Sequence, residues 1–229
     1  MSTPIDPAAH EHVATSAVIV LLAAGESRRY GGIKQLAEIE GEPMVRRTAR
    51  TALDTGVALI VVTGAHAEQV EAALAHLPLR IVRHAGWPEG MGSSLAAGIR
   101  HLHSQFPAAS GALLCLADQP LLDSSTLIQL LARHTQAPLQ ILATEQASVA
   151  GPPVLFPYDC FDTLMTWTGQ QGAHTFLERE ANRVERFTNQ TVIDVDTPED
   201  LRRACDQLMK LVNPAFANTL PEGPASDHA

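Results

Sequence analysis

The sequence predicts an α/β fold, with a mostly parallel β-sheet and helices on both of its faces, from three observations. Apolar runs of strand length alternate with segments of helical periodicity along the first 143 residues. The spacing leaves room for the helical crossovers that parallel strands require. The 229 residues, 45% of them hydrophobic, suffice for one sizeable core. We therefore expect a single domain over residues 17–212, with flexible tails at 1–16 and 213–229.

The first part of the chain is predicted to form successive strand–helix units. In order, the predicted elements are the strand Ala17–Leu22, the helix Pro43–Asp54 ended by Gly56, the strand Val57–Thr63, the helix His66–His76 and the strand Leu79–Val82. A glycine-rich turn at Gly92 then leads into a helix whose Leu95, Ile99 and Leu102 share one face. Two complete strand–helix units before this turn favour a parallel sheet.

The second part of the chain is less regular. The predicted elements are the apolar strand Gly111–Ala117, a helix capped by Asp123 and the strand Leu139–Ala143. From Glu145 onward, short segments broken by Gly and Pro are expected to form a small lobe over the open end of the sheet. A regular segment, Thr191–Asp196, is predicted as a strand, and Thr197 as the cap of the last helix.

Composition excludes several classes of protein. A net charge of −9 and a pI near 5.5 argue against nucleic acid or an anionic membrane as the main partner, although a nucleotide remains compatible. Three widely spaced cysteines, Cys115, Cys160 and Cys205, predict neither a zinc site nor a disulfide framework. No signal-peptide pattern or run of membrane-spanning length is present in the sequence. We expect a cytoplasmic protein.

The stretch Leu21–Leu36 is predicted to be a phosphate-binding loop. An apolar strand opens there into small residues whose backbone N–H groups can hold anionic oxygens. Gly25, Gly31 and Gly32 do not have the spacing of the dinucleotide fingerprint, and no Ser or Thr follows Lys34 as a P-loop requires. Because the sequence contains only two lysines, the one in this loop is a strong candidate for a functional residue.

Carboxylates at the ends of strands are candidate metal ligands. Asp118 ends an apolar strand and could hold a hard cation such as Mg²⁺ beside phosphate oxygens, or it could be a turn residue that binds local amides. Asp194 and Asp196 lie two apart in a predicted strand and so face the same side, which could supply a second carboxylate. The alternative is that this segment only introduces the last helix.

For the other polar residues of the predicted site, a purely structural role is also possible. Arg28 and Arg29 can reach phosphates or remain in solvent. Ser93 and Ser94 cap a helix by default, with a nucleotide role as an addition. His101 and His103 are two apart on a helix and cannot chelate a metal as an i, i+4 pair could, so we predict no zinc site.

These residues together resemble a known family. The run Leu22-Ala23-Ala24-Gly25-x-Ser27-x-Arg29-x-Gly31-x-x-Lys34 is similar to the loop signature of nucleotidyltransferases of the molybdenum cofactor type. Glu89–Leu95, Ala117–Leu121 and Asp194–Asp200 follow in that family's order. Ala24, in place of a second glycine before Gly25, resembles the cytidylyltransferase branch. The resemblance covers Val18 to about Leu211 and implies a Rossmann-like nucleotidyltransferase domain.

The resemblance implies a reaction and a set of roles. CMP is transferred from CTP to the terminal phosphate of molybdopterin, pyrophosphate is released, and Mg²⁺ is held by Asp118 and Asp196. Lys34, Arg29 and Asp118 are the implied catalytic residues, and a transient contact with a molybdoenzyme is an implied partner interaction. The implied nucleotide-binding residues are Leu22, Ala23, Ala24, Gly25, Glu26, Ser27, Lys34, Gly92, Ser93, Ser94 and Asp118.

The sequence departs from the family in the half implied to bind the acceptor. Pro152 stands where such proteins commonly show His, Gln170 where they show Asp, and His174 where they show Arg. Two alternatives therefore stay open. One is nucleotidyl transfer to another phosphorylated acceptor, and the other is a non-catalytic protein of cofactor maturation or delivery.

Overall fold

The computed structural model describes residues 17–146, 149–169, 172–188 and 193–212. The tails predicted at 1–16 and 213–229, Gln170 and the first two residues of the predicted segment Thr191–Asp196 lie outside these residues. Among the described helices, none is long and apolar enough to cross a membrane.

In the described part of the chain, seven strands form one sheet, and a two-stranded hairpin forms a second. The main sheet contains β1 (Val18–Ala23), β4 (Leu59–Thr63), β5 (Arg80–Arg83), β6 (Gly111–Leu116), β7 (Ile141–Gln146), β8 (Val149–Pro157) and β9 (Val184–Thr188), and the hairpin pairs β2 (Glu38–Ile39) with β3 (Glu42–Pro43). The strand order of the main sheet is β5-β4-β1-β6-β8-β7-β9. β8 runs antiparallel to both of its neighbours, and the other pairings are parallel, so the predicted mostly parallel sheet is confirmed.

Helices cover both faces of this sheet, as predicted. They are α1 (Met44–Leu53), α2 (Ala67–Ala73), α3 (Met91–Gln105), α4 (Ser124–Gln136), α5 (Phe161–Met165), α6 (Ala173–Arg179) and α7 (Pro198–Val212). Alternate residues of β1 enter two different cores: Val18, Val20 and Leu22 pack on the side of α3, α5 and α6, and the residues between them on the side of α1, α2 and α4. This two-sided burial explains why β1 is an uninterrupted apolar run.

Two segments of the second part differ from the sequence prediction. Residues 149–157, expected in a lobe over the end of the sheet, form β8 in its interior between β6 and β7. Residues 193–196, expected to be part of a strand, have no regular structure, and the backbone N–H of Val195 donates to the carbonyl of Asp118 at 2.9 Å. This backbone contact helps to hold the Asp194–Asp196 segment beside the end of β6.

The predicted helix caps have mixed outcomes. Asp123 accepts a hydrogen bond from the backbone N–H of Thr126 at 2.8 Å and caps α4, as expected. Thr197 accepts from the backbone N–H of Asp200, and Asp200 accepts in return from that of Thr197, which confirms the cap of α7. Ser93 does not cap α3, because its hydroxyl turns back to the carbonyls of Gly86 and Gly90.

Candidate active site

A cavity of about 460 Å³ opens at the carboxyl ends of β1 and β6. β1 lies between β4 and β6, so the chain continues to one side of β1 first and later to the other side. Ligands of parallel sheets bind at such switches in strand order. The residues that line the cavity are Leu22, Ala23, Ala24, Gly25, Glu26, Ser27, Arg28, Arg29, Lys34, Gln35, Trp87, Pro88, Gly90, Met91, Ser94, Leu116, Ala117, Asp118, Asp194 and Asp196.

Four charged side chains from distant parts of the chain meet in this cavity, and we call them the charge cluster: Arg29, Lys34, Asp118 and Asp196. The Lys34 Nζ donates to Asp118 Oδ2 at 2.7 Å and to Asp196 Oδ1 at 2.9 Å. Arg29 Nη2 donates to the other oxygen of Asp196 at 2.8 Å. The sequence-predicted lysine, arginine and carboxylates thus lie side by side, although 162 residues separate Lys34 from Asp196.

The electrostatics of the cluster depend on Lys34, whose side chain is only 12% exposed. Burial by itself would favour the neutral amine, but the carboxylates of Asp118 and Asp196 outweigh it and raise the pKa of Lys34 above its ordinary value. Lys34 therefore stays positively charged at neutral pH. A buried, permanently charged ammonium at a cavity wall is suited to bind anionic oxygens.

Asp118 has one oxygen paired with Lys34 and another, Oδ1, that is buried without a hydrogen-bond partner among the described residues. Burial raises the pKa of Asp118, Asp194 and Asp196 add to the effect, and Lys34 works against it. An unpaired buried carboxylate oxygen is costly unless a cation or donor satisfies it. The residue is thus poised to accept a further positive group.

The site fits a hard divalent cation that is shared with a ligand. No group of three or more His, Cys, Asp or Glu side chains that could hold a metal is found in the described part of the chain. Two carboxylates, Asp118 and Asp196, nevertheless converge on a single ammonium, and Asp118 Oδ1 lacks a partner. Oxygen donors of this kind suit Mg²⁺ or Mn²⁺ that completes its coordination with phosphate oxygens and water.

Gln35 forms hydrogen bonds to the loop that follows β1, and the sequence analysis did not single out this residue. Gln35 is 3% exposed and lies in a single 3-10 turn, Lys34–Leu36, next to Lys34. Its Nε2 donates to the Gly25 carbonyl at 2.8 Å, and its Oε1 accepts from the Ser27 hydroxyl at 2.9 Å. Its position beside Lys34 is the only sequence signal that could have suggested a role.

The turn before α3 and the first residues of α3 form the opposite wall of the cavity. Ser94 lines it, whereas Gly92 donates its backbone N–H to the Gly169 carbonyl and Ser93 binds His84 Nε2 at 3.1 Å. These two residues support the wall rather than line the cavity. Trp87, Pro88 and Met91, which sequence analysis did not assign to the site, supply its apolar surface.

Arg28 and Asp194 line the cavity but are paired outside the charge cluster. Arg28 pairs with Glu26 at 2.7 Å, and its side chain is 81% exposed. Asp194 lines the cavity, and its Oδ1 accepts from Gln119 Nε2 at 2.9 Å. The two aspartates of the 194–196 segment therefore both face the cavity even though no strand holds them.

Comparisons with known proteins identify the family. Residues 19–184 match the MobA-like NTP transferase domain. The chain belongs to this family. It is 34% identical over 197 residues to the nicotine blue oxidoreductase of Paenarthrobacter nicotinovorans, which covers 80% of this chain and 94% of that one, and 30% identical over 202 residues to the purine catabolism protein PucB of Bacillus subtilis, which covers 81% and 95%.

Solved structures agree with the family assignment. Rv0371c of Mycobacterium tuberculosis superimposes with a TM-score of 0.75 at 28% identity, over 84% of this chain and 98% of that one. A second structure of the same protein, with a TM-score of 0.70 at 26% identity over 84% of this chain and 99% of that one, is described as a complex with manganese. The protein is thus a nucleotidyltransferase of the MobA-like family, built on a single α/β domain.

Proposed function

We propose that the protein transfers CMP from CTP to the terminal phosphate of molybdopterin and releases pyrophosphate. The observation that carries this proposal is the convergence of Arg29, Lys34, Asp118 and Asp196 beside the loop after β1. Ala24, which lines the cavity, favours CTP over GTP as donor through its resemblance to the cytidylyltransferase branch. The acceptor rests on the family resemblance alone.

The reaction needs no protein nucleophile. An oxygen of the acceptor phosphate attacks the α-phosphorus of CTP, the new P–O bond forms, and the bond to the β-phosphate breaks as pyrophosphate leaves. Lys34 and Arg29 offset the negative charge of the triphosphate, and backbone N–H groups of residues 24–27 position it. Asp118 and Asp196 would hold Mg²⁺, which when bound supplies further charge neutralisation at the phosphates.

A pyrophosphate-release assay tests the donor and the acceptor separately. We expect release with CTP, Mg²⁺ and molybdopterin, little with GTP, and a product whose mass equals molybdopterin plus CMP. Release with GTP alone, or none from the wild-type protein, would sink the proposal. Release with CTP but only with a different phosphorylated acceptor would move the protein to the first alternative, which the substitutions at Pro152, Gln170 and His174 allow.

The variant Asp118→Ala tests the proposed metal-binding role of this carboxylate. We expect it to abolish turnover, by at least about a hundredfold, because it removes a carboxylate that faces both Lys34 and the phosphate region. Its circular dichroism should match that of the wild type, since Asp118 supports Val195 through its backbone carbonyl, which the substitution retains. Undiminished pyrophosphate release by a folded Asp118→Ala protein would remove the proposed metal-binding role.

Two other functions remain as competitors. The relative named nicotine blue oxidoreductase points to a redox enzyme, and a non-catalytic delivery protein would keep the fold without turnover. Neither needs a lysine that bridges two carboxylates beside a phosphate-binding loop, and this arrangement favours nucleotidyl transfer. Reduction of a dye by the purified protein, with no pyrophosphate release from any nucleotide, would favour the oxidoreductase.

A further inference from the structure

The buried carboxamide of Gln35 contacts both sides of the loop after β1. Its Nε2 donates to the carbonyl of Gly25 at 2.8 Å and lies 3.5 Å from that of Ala23. Its Oε1 accepts from the Ser27 hydroxyl, and that hydroxyl in turn accepts from the backbone N–H of Lys34 at 3.3 Å. We call these four residues, Ala23, Gly25, Ser27 and Gln35, the Gln35 clamp.

The clamp fixes which way the peptide groups of the loop face. In a planar trans peptide, the C=O of one residue and the N–H of the next point in opposite directions. Because the Gly25 carbonyl points toward the Gln35 carboxamide, the N–H of Glu26, a residue that lines the cavity, points away from Gln35. The clamp also pairs the Gly25 carbonyl, which would otherwise repel an anion, with a hydrogen-bond donor.

The backbone at Ser27 shows that the loop needs such support. Ser27 has φ = 63°, in the left-handed region that a residue with a Cβ rarely adopts because its backbone is strained there. Its hydroxyl contacts with Gln35 and Lys34 are local bonds that can hold this conformation. Since Lys34 and Gln35 share one 3-10 turn, the clamp also links the loop to the lysine of the charge cluster.

We propose that Gln35 is a positioning residue whose carboxamide orients the loop amides for a polyphosphate chain. It does not touch the reacting atoms. The inference rests on the nucleotide-binding role in the proposed function, but on neither CTP nor molybdopterin. Because amides that bind the ground state and the transition state equally change affinity rather than the chemical step, loss of the clamp should raise KM and leave kcat nearly unchanged.

The test measures binding of inorganic tripolyphosphate with Mg²⁺ to the full chain by calorimetry. We expect Gln35→Met, which keeps the side-chain length but loses both hydrogen-bonding ends, to bind at least tenfold more weakly than the wild type. Gln35→Glu should also bind more weakly, because a carboxylate repels the Gly25 carbonyl and adds negative charge. An inorganic probe keeps this result separate from any failure of cytidylyl transfer.

His134→Gln is the matched control. His134 is also buried, 2% exposed, and hydrogen-bonded through its Nε2 to the Ser110 hydroxyl, but it lies near Ala17 and Val57 at the amino ends of the strands. We expect the control to lower the melting temperature and to leave tripolyphosphate affinity unchanged. A Gln35→Met protein that loses stability like the control but binds tripolyphosphate within twofold of the wild type would overturn the proposal.

Ser27→Ala decides the matter if Gln35→Met does not fold. This variant removes only the hydroxyl end of the clamp from a half-buried side chain. About threefold weaker tripolyphosphate binding, expressed in KM for the nucleotide rather than in kcat, supports the clamp. Unchanged affinity in a folded Ser27→Ala protein overturns it.

Discussion

The ammonium of Lys34 lies within hydrogen-bond distance of two carboxylates, Asp118 and Asp196, and faces the cavity that is proposed to bind a triphosphate. It therefore has two kinds of partner that compete for one positive charge. When it pairs with the carboxylates it reduces their attraction for a divalent cation, and when it pairs with phosphate it leaves them free to bind one. Nucleotide and metal should for this reason bind more tightly together than either does alone.

Lys34→Met is expected to change metal and nucleotide affinity in opposite directions. Removal of the ammonium takes away the cation paired with Asp118 and leaves Asp196 paired with Arg29, so Mn²⁺ should bind the nucleotide-free protein about tenfold more tightly, a modest effect because both carboxylates are partly exposed. CTP should bind at least about tenfold more weakly. Electron paramagnetic resonance of free Mn²⁺ measures the first quantity and calorimetry the second.

The other lysine of the chain provides the control. Lys210 lies exposed on α7, and Lys210→Met should change neither affinity. If Lys34→Met binds Mn²⁺ no better than the wild type, the two carboxylates do not form the cation site.

At the scale of single elements, α3 packs against the sheet through a glycine. A Cβ on Gly98 would lie 2.6 Å from Val20 Cγ1 and 3.0 Å from Val62 Cγ2, both in fully buried strand residues. The helix can therefore approach β1 and β4 closely only because this position has no side chain. The beginning of the same helix carries Met91 and Ser94, which line the cavity.

Gly98→Ala is expected to destabilise the protein despite the better helix propensity of alanine. The added methyl group overpacks the contact with β1 and should lower the free energy of unfolding by about 1–3 kcal/mol, measured by urea denaturation. Ser104→Ala, at an exposed position of α3, should be neutral within about 0.5 kcal/mol. A Gly98→Ala protein as stable as the wild type would show that α3 can shift outward without cost.

The contact between α4 and the start of β6 makes stability depend on pH. Burial lowers the pKa of His134 below its ordinary value, so the unfolded chain binds a proton more readily than the folded one. The contribution of neutral His134 is therefore present above pH 6.5 and is lost as the pH falls through the folded-state pKa. The slope from one such group is at most about 1.4 kcal/mol per pH unit.

His134→Gln is expected to flatten this dependence. The variant should be less stable than the wild type at pH 8, because it disturbs a buried contact with Ser110, but the difference should shrink as the pH falls from 6.5 to 5. Urea denaturation at a series of pH values measures it. Parallel curves for the two proteins would mean that His134 does not carry the acid sensitivity.

At the scale of the whole molecule, the sequence predicted the parallel half of the sheet because its strands are continuous apolar runs separated by helical periodicity. It missed β8, since Gly151 and Pro152 indicate a loop and only pairing with β6 and β7 makes that segment a strand. It predicted a strand before α7, whereas tertiary contacts hold residues 193–196: Val195 donates to the Asp118 carbonyl, and Asp194 accepts from Gln119. Tertiary contacts determine the structure of both segments, and the local sequence pattern does not reveal those contacts.

The same division applies to the site. Lys34 was predicted because it is one of only two lysines in the sequence and lies in the glycine-containing loop, and Asp118 because it ends an apolar strand. The adjacency of β1 and β6 then brings them together. Gln35 was not predicted, because a glutamine in a loop is ordinary in sequence and becomes notable only when the carboxamide is found buried beneath Gly25 and Ser27.

Ligand-linked stability offers a measurement on the whole molecule that needs no acceptor. Anything that binds only the folded state stabilises it by about 2.7 kcal/mol at a hundred times its dissociation constant, which for a domain of this length corresponds to a rise in melting temperature of about 5–10 °C. We expect that rise with CTP and Mg²⁺ together, a smaller one with GTP and Mg²⁺, and almost none with Mg²⁺ alone, because Lys34 and Arg29 already pair with the two carboxylates.

The melting-temperature shifts with nucleotide alone, metal alone and both together show whether the two ligands share one site. If nucleotide and metal act on one site, the shift with both must exceed the sum of the separate shifts, and Asp118→Ala must remove the excess while leaving the ligand-free melting temperature within a few degrees of the wild type. Equal shifts with CTP and GTP would leave a nucleotide site but remove the preference for cytosine. Strictly additive shifts would mean that the metal binds away from the phosphates. The charge cluster would then have no part in the proposed reaction.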